Sequence, residues 1–105
     1  QDVDRILGDA SRDPRAALLL LSSKIEQGLR HKLVEADVDI GGNYSMVRLA
    51  DLAVKNRLLS EAFQPAIRDF SNIRNRVAHG KGFDVDDGAI LSIISLGAEL
   101  LKALY

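Results

Sequence analysis

Hydrophobic residues recur along this chain at the spacing of helical faces, and no segment alternates apolar and polar residues as a half-buried strand would. This pattern predicts four substantial helices, over residues 14–37, 46–56, 60–79 and about 86–105, and a short leading helix over residues 2–7. Helices joined by loops this short favour an antiparallel bundle. We therefore expect an all-α fold, an antiparallel bundle of four to five helices in a single domain spanning residues 1–105.

The predicted helix ends rest on capping residues. Asp13 precedes a proline, so its carboxylate caps the long helix and the proline takes the first position, where a missing N–H costs nothing. Ser45 is the expected cap of the second helix, and Asp84 or Asp86 that of the last. Gly80 is placed to end the third helix, since glycine is favoured directly after a last helical turn.

Two residues stand out against the predicted core. One arc of the long helix is formed by Leu18, Leu21, Ser22, Ile25, Leu29, Lys32, Leu33 and Ala36, with Leu19 at its edge. Glu26 lies beside this arc, so a carboxylate points at the edge of the core. Gly97 lies in the middle of the apolar stripe of the last helix; it either lets another helix approach closely or is a tolerated glycine costing about 1 kcal/mol in propensity.

Charge and composition limit the function classes. The chain has 105 residues, with 14 Lys and Arg against 15 Asp and Glu, a net charge of −1 that argues against a globally basic nucleic-acid binder. The absence of cysteine excludes disulfides, cysteine-ligated zinc and thiol nucleophiles. No run approaches the roughly 18 apolar residues of a membrane helix, so we expect no membrane contact and a cytoplasmic location. The start on Gln1 suggests a piece of a longer chain or a processed start.

Candidate chemistry is concentrated in the segment IRDFSNIRNRVAHGKGFD, residues 67–84. Over residues 68–81 of this segment four cations stand against the single acid Asp69, a local charge of +3 within a chain of −1: Arg68, Arg74, Arg76 and Lys81. On a helical wheel Arg74 falls inside the apolar arc, so its guanidinium must reach solvent or meet a carboxylate. Glu26 is the natural candidate for that carboxylate.

His79 falls in the last turn of the predicted third helix, in one row with Asn72 and Asn75. Histidine is the side chain whose charge changes near neutral pH, and a neighbouring arginine binds phosphate with two parallel hydrogen bonds. These residues therefore indicate a phosphate site. The structural alternative is a histidine that complements the helix dipole beside an arginine held in an ion pair.

The stretch RNRVAHG, residues 74–80, preceded by a helical DFSNI and followed by a loop and a last amphipathic helix, resembles the HEPN superfamily (higher eukaryotes and prokaryotes nucleotide-binding). The signature of that superfamily is an Arg and a His separated by four to six residues, commonly with a polar residue after the Arg. Here the gap is four and Asn75 fills the polar position. The upstream ALLLLSSKIEQGLR, which contains Glu26, is similar to the long leading helix of the same fold.

The resemblance covers about residues 14–105 and implies a helical bundle that dimerises through its motif-bearing helices. Many members are metal-independent endoribonucleases of toxin, phage-defence or RNA-processing systems. Carried onto this chain, Arg74 and His79 would be the catalytic pair, Asn75 and Glu26 would position them, and no metal or other cofactor would be needed. We add Arg76 and Lys81 as RNA-phosphate contacts because of the local charge.

The chemistry places conditions on the site. Cleaving RNA without a metal needs a general base, a general acid and positive charge at the phosphate, and one chain offers one motif histidine, so we expect a homodimer to be active. Arg74 and His79 are five residues apart, about 140° around a helix. They would converge across the dimer, or the helix end would unwind, or Arg74 would act through Glu26.

Other functions remain open from the sequence. Some members of the superfamily have lost activity, so the chain is alternatively a non-catalytic dimerisation module or a nucleotide- or RNA-binding module of a larger protein. Its partners would be RNA or a nucleotide, a second copy, and an antitoxin or fused domain. A purely structural bundle is a third possibility, in which Arg74→Ala destabilises the fold and His79→Ala changes nothing.

Overall fold

Helices form all the regular structure that the computed structural model describes, which covers residues 4–6, 8, 12–42, 44–79 and 86–104. The α-helices are α1 (Pro14–Glu35), α2 (Met46–Lys55), α3 (Gln64–Ala78) and α4 (Asp87–Leu104), and a 3-10 turn (Glu61–Phe63) leads directly into α3. Residues 4–6 are also helical, and Ile6 is buried in the core. The prediction of an all-α bundle is confirmed, with the motif at the end of the penultimate helix.

The predicted capping residues form hydrogen bonds at the starts of three helices. The side chain of Asp13 accepts a hydrogen bond from the Ala16 N–H, and Ser45 accepts one from the Arg48 N–H. The Asp86 carboxylate accepts from the Ala89 N–H at 2.7 Å, which makes Asp86 the cap of α4. Asp84 lies outside the described residues. Each cap satisfies a backbone donor that the first turn of a helix leaves unpaired.

Two helices, α1 and α2, end without a glycine at the C-terminal cap. Asp37 and Arg57 adopt left-handed backbone conformations, with φ of 59° and 60°, directly after the last turns of α1 and α2. In each case the following N–H, of Val38 or Leu58, bonds back to a carbonyl five residues earlier, which terminates the helix. This turn ends α1 at Glu35, about two residues before the predicted end.

The core lies where one face of each helix meets the others. The predicted stripe of α1 is confirmed at its leucines and isoleucine, with Leu18, Leu21, Ile25, Leu29 and Leu33 all fully buried. Ala36 is exposed because it lies past the end of α1, and Lys32 is only half-buried. A Cβ at Gly97 of α4 would lie 2.4 Å from a ring carbon of Phe70 and 2.8 Å from Leu21. Gly97 is therefore a point of close helix approach.

Two contacts set the direction of α4 against α1. Arg15 donates to Asp87 at 2.7 Å near the start of both helices, and Leu21 meets Gly97 further along both. The two helices run in the same direction, so the expected antiparallel alternation does not extend to this pair. The physical reason is α2, whose ten residues span only about 15 Å against about 33 Å for α1, too short for a full member of an alternating bundle.

The end of α3 lies beside the starts of α1 and α4. Eight residues, 79–86, connect α3 to α4, which is typical of antiparallel neighbours. The packing of Phe70 against Gly97 agrees, because both lie about 12–15 Å from the connection. The last turn of α3 is therefore placed at the end of the bundle where Arg15 binds Asp87. Among the described residues, no helix combines the length and apolar character needed to cross a membrane.

Candidate functional site

The Arg–His motif occupies the last turn of α3. The helix continues regularly through Ala78, and His79 is its C-cap residue, with its N–H still bonded to the Asn75 carbonyl at 3.0 Å. His79 therefore lies directly above Asn75 on one face, and the helix does not unwind before it. The side chain of His79 is exposed. Gly80 and Lys81, the predicted helix stop and phosphate contact, lie outside the described residues.

Arg74 leaves the apolar face by curling round the helix. It is half-buried, and its Nε is buried without a hydrogen-bond partner among the described residues. Its Nη1 donates to the side-chain oxygen of the next residue, Asn75, at 3.1 Å. Of the two outcomes expected for an arginine in this position, the structure has the one in which the guanidinium reaches the surface.

Asn75 contacts both motif residues. Its side-chain oxygen accepts a hydrogen bond from the Arg74 guanidinium, and its backbone carbonyl accepts one from the backbone N–H of His79. Because a guanidinium has no acceptor, the oxygen of the amide must face Arg74 and the NH₂ group must face away. The exposed amide therefore presents donors. Although the Cα positions of Arg74 and His79 differ by about 140° around the axis, Asn75 brings the end of Arg74 to the face that carries His79.

Glu26 does not join this site. It is half-buried on α1, as expected for the edge of the core, but it forms no ion pair with Arg74 in the part of the chain that the structure describes. Phe70 and Leu21 lie level with each other at Gly97. Because α3 and α1 run in opposite directions, residues that follow Phe70 and residues that follow Leu21 move apart along the bundle. Arg74 is one turn after Phe70 and Glu26 is five residues after Leu21, so Arg74 and Glu26 are separated by about 13 Å along the bundle axis. The predicted positioning of Arg74 by Glu26 is absent from this structure.

The outer face of α3 is a continuous row of exposed polar side chains. Five residues fall within about 100° of the helix circumference, and we call them the α3 row: Arg68, Asn72, Asn75, Arg76 and His79. None of the five is a carboxylate, and Asp69 lies at the edge of the row. The predicted phosphate contact Arg76 belongs to this row. Arg68 contributes to the local charge of the sequence but is not among the predicted site residues, although its spacing of eight residues from Arg76 indicates a shared face.

Donor groups predominate at this surface. The Asn75 amide, the two arginines of the row and the Arg74 guanidinium present N–H groups, and His79 adds an imidazole that is able to give or take a proton. Such a set is complementary to an anion rich in acceptor oxygens, which is the chemistry of a phosphodiester. Among the described residues no three His, Asp or Glu side chains converge to hold a metal ion.

Other candidates lie elsewhere. His31, on the exposed face of α1, lies against the carboxylate of Glu35 one turn later. An open depression at the connection of α2 to α3 is lined by apolar residues together with Arg57, Ser60 and Glu61. It lies at the opposite end of α3 from His79, about 22 Å away. Neither feature adds a group to the α3 row.

Comparison with known proteins adds no family assignment. No protein-family model matches the chain, and no curated protein and no solved structure matches it.

Proposed function

We propose that this chain is a metal-independent endoribonuclease of HEPN type, acting as a toxin, in defence against phage or in RNA processing. The observation that carries the proposal is the junction at Asn75, whose side-chain oxygen accepts from the Arg74 guanidinium one turn before the exposed His79 on the same face of α3. This junction places an arginine, an amide donor and a histidine at one exposed helix end. An RNA phosphate is the ligand that such groups suit best.

The reaction is an attack of the ribose 2′-oxygen on the adjacent phosphorus. The 2′-O–P bond forms as the P–O5′ bond breaks, which leaves a 2′,3′-cyclic phosphate on one fragment and a 5′-hydroxyl on the other. His79 takes the 2′-OH proton or gives a proton to the leaving O5′. Arg74 and the Asn75 amide stabilise the negative charge that develops on the phosphate oxygens.

A homodimer supplies the full set of catalytic groups. One described chain offers one histidine at this site, whereas the reaction uses both a base and an acid. A two-fold contact between the ends of two α3 helices would bring two copies of Arg74, Asn75 and His79 to one cleft. An antitoxin or a fused domain is the expected regulator of such an activity.

A non-catalytic module that binds RNA or a nucleotide is the second candidate. It is favoured by the position of Arg74, Asn75 and His79 at one helix end of a single chain, since binding a phosphate would not require a second histidine. This candidate predicts binding and dimerisation without cleavage.

Replacing His79 by alanine tests the nuclease. We expect the wild type to cut unstructured RNA in EDTA and His79→Ala to lose about 10²-fold or more of the rate, because the variant removes an acid–base group. The matched control is His31→Ala, which removes an exposed histidine from α1 and leaves the rate unchanged. Cleavage is followed on labelled RNA, and a 2′,3′-cyclic phosphate end identifies the reaction.

Two outcomes would contradict this proposal. Equal rates for the wild type and His79→Ala would remove the catalytic role of that histidine. If neither protein cuts RNA while both bind it, the second candidate, a binding module, is favoured instead.

A further inference from the structure

The α3 row extends well beyond the motif. Arg68 and His79 are eleven residues apart, so the row follows the helix for about 16 Å. Asn72 lies between them, one turn from Arg68 and one turn from Arg76. All of these side chains are exposed. The row therefore offers positive and donor groups at several successive levels of one helix face.

Three side chains of the row, those of Arg68, Asn72 and Arg76, have no partner among the described residues. They make no side-chain hydrogen bond and no ion pair there. Several charged side chains on other helices do have partners, as in Arg15 with Asp87 and Lys102 with Glu99. Among the described residues, the charge of the row therefore has no partner that a ligand must displace.

The length of the row distinguishes a strand from a mononucleotide. About 12 Å of helix rise separates Arg68 from Arg76, whereas a phosphate accepts hydrogen bonds only at about 2.7–3.2 Å. A phosphate held beside His79, about 16 Å of helix rise from Arg68, is accordingly out of reach of an extended Arg68. Two arginines separated in this way suit two different phosphates of one chain.

Charge also indicates the direction that such a strand takes. Asp86 and Asp87 lie at the start of α4, next to the end of α3, and Asp87 is the residue that binds Arg15. Carboxylates on that side repel phosphates. In the other direction, toward the start of α3, the row continues with Arg76, Asn72 and Arg68, with Asp69 at its edge, and the next acid, Glu61, lies beyond Arg68 in the 3-10 turn.

We propose that Arg68 and Asn72 form a second phosphate-binding subsite, so that the ligand is a single-stranded oligonucleotide lying along α3 and not a mononucleotide. The inference rests on the proposed function, because it takes the end of α3 as the place where the first phosphate binds. It adds two residues to the site and a minimum length to the substrate.

Binding of labelled oligoribonucleotides to His79→Ala, which prevents cleavage, tests the subsite. In this background we expect an eight-nucleotide strand to bind more tightly than a dinucleotide. Arg68→Ala weakens the eight-nucleotide strand by about threefold to tenfold, lowers its salt slope by about 0.7, and leaves the dinucleotide unchanged. Asp69→Asn, which removes the flanking acid, strengthens the longer strand. Lys102→Ala is the matched control, because it removes one exposed cation from α4.

The remaining outcomes separate this inference from the proposed function. Equal affinity for both lengths, or an unchanged affinity in Arg68→Ala while Arg76→Ala weakens binding, overturns the subsite and leaves the nuclease standing. Length-dependent binding that needs Arg68, with no cleavage by the wild-type protein, supports the subsite and overturns the nuclease. No binding of any RNA overturns both. Equal binding of polyglutamate, weakened alike by Arg68→Ala, shows a general anion surface and also overturns the subsite.

Discussion

At position 75 the proposed phosphate site requires an amide. The side-chain oxygen of Asn75 accepts from Arg74, which leaves its NH₂ group as a donor on the exposed face. An aspartate there would pair with Arg74 but would place a negative charge where a phosphate is expected to bind. The polar position after the arginine was recognisable in the sequence. The bond itself was not, because it depends on how far a half-buried arginine curls around its helix.

Arg74 is expected to contribute little to the stability of the fold. Its Nε is buried without a partner among the described residues, and leaving a buried donor unpaired costs about 1–3 kcal/mol. We expect Arg74→Met, which keeps the length and apolar contacts of the side chain, to leave the free energy of unfolding unchanged or to raise it by about 1 kcal/mol. The same variant loses RNA cleavage. Thermal unfolding followed by circular dichroism and the cleavage assay measure the two effects.

Arg74→Lys provides the comparison for this variant. It keeps the charge but not the planar fork of donors, so we expect a stable protein with weakened activity. A loss of more than about 2 kcal/mol in Arg74→Met would instead support a structural ion-pair role for this arginine.

The starts of the helices were predictable from the sequence, whereas the ends of α1 and α2 were not. Asp13, Ser45 and Asp86 cap helices as their residue types indicate, because short polar side chains reach the free N–H groups of a first turn. The ends of α1 and α2 use Asp37 and Arg57 in the left-handed conformation, where the sequence has no glycine to mark them. A single positive φ at a non-glycine residue is set by the surrounding packing, so a local pattern does not reveal it.

Gly97 lies at a close contact between three helices. A Cβ there would lie 2.4 Å from the ring of Phe70 and 2.8 Å from Leu21, at the place where α4, α3 and α1 meet. We expect Gly97→Ala to destabilise the protein by about 1–3 kcal/mol through overpacking, although alanine is the better helix former by about 1 kcal/mol. Urea unfolding measures the change in free energy.

The control for Gly97→Ala is Ser92→Ala, an exposed change on the same helix that also improves helix propensity. It is expected to leave stability unchanged or to raise it slightly. Stabilisation by Gly97→Ala would mean that the helices separate at little cost and that the glycine is merely tolerated.

For the whole molecule, the distribution of charge matters more than its sum. The chain has a net charge of −1, yet Arg68 and Arg76 are exposed and unpaired within its described part, whereas Arg15, His31 and Lys102 have acidic partners. The concentration of cations in residues 68–81 was visible in the sequence. Which of them are left unpaired depends on the tertiary fold, since Arg15 and Asp87 are 72 residues apart in the chain.

Each chain brings one histidine, His79, to the proposed site, whereas the reaction uses both a base and an acid. If base and acid are the His79 side chains of two copies, a dimer with one wild-type chain and one His79→Ala chain lacks one of them. At a fixed amount of wild-type protein, adding His79→Ala should therefore lower the total cleavage rate in proportion to the fraction of wild-type chains, once the subunits have exchanged. Adding Arg74→Met should do the same, because the cleft of each mixed dimer would lose one of its two guanidinium groups.

The measurement is a titration of cleavage rate against added variant, with sedimentation analysis to follow dimer formation. Added His31→Ala is the control and should not lower the cleavage rate. An undiminished rate with complete subunit exchange would mean that each chain carries a full site. In that case the Arg74, Asn75 and His79 junction of one chain would have to provide both proton-transfer steps by itself.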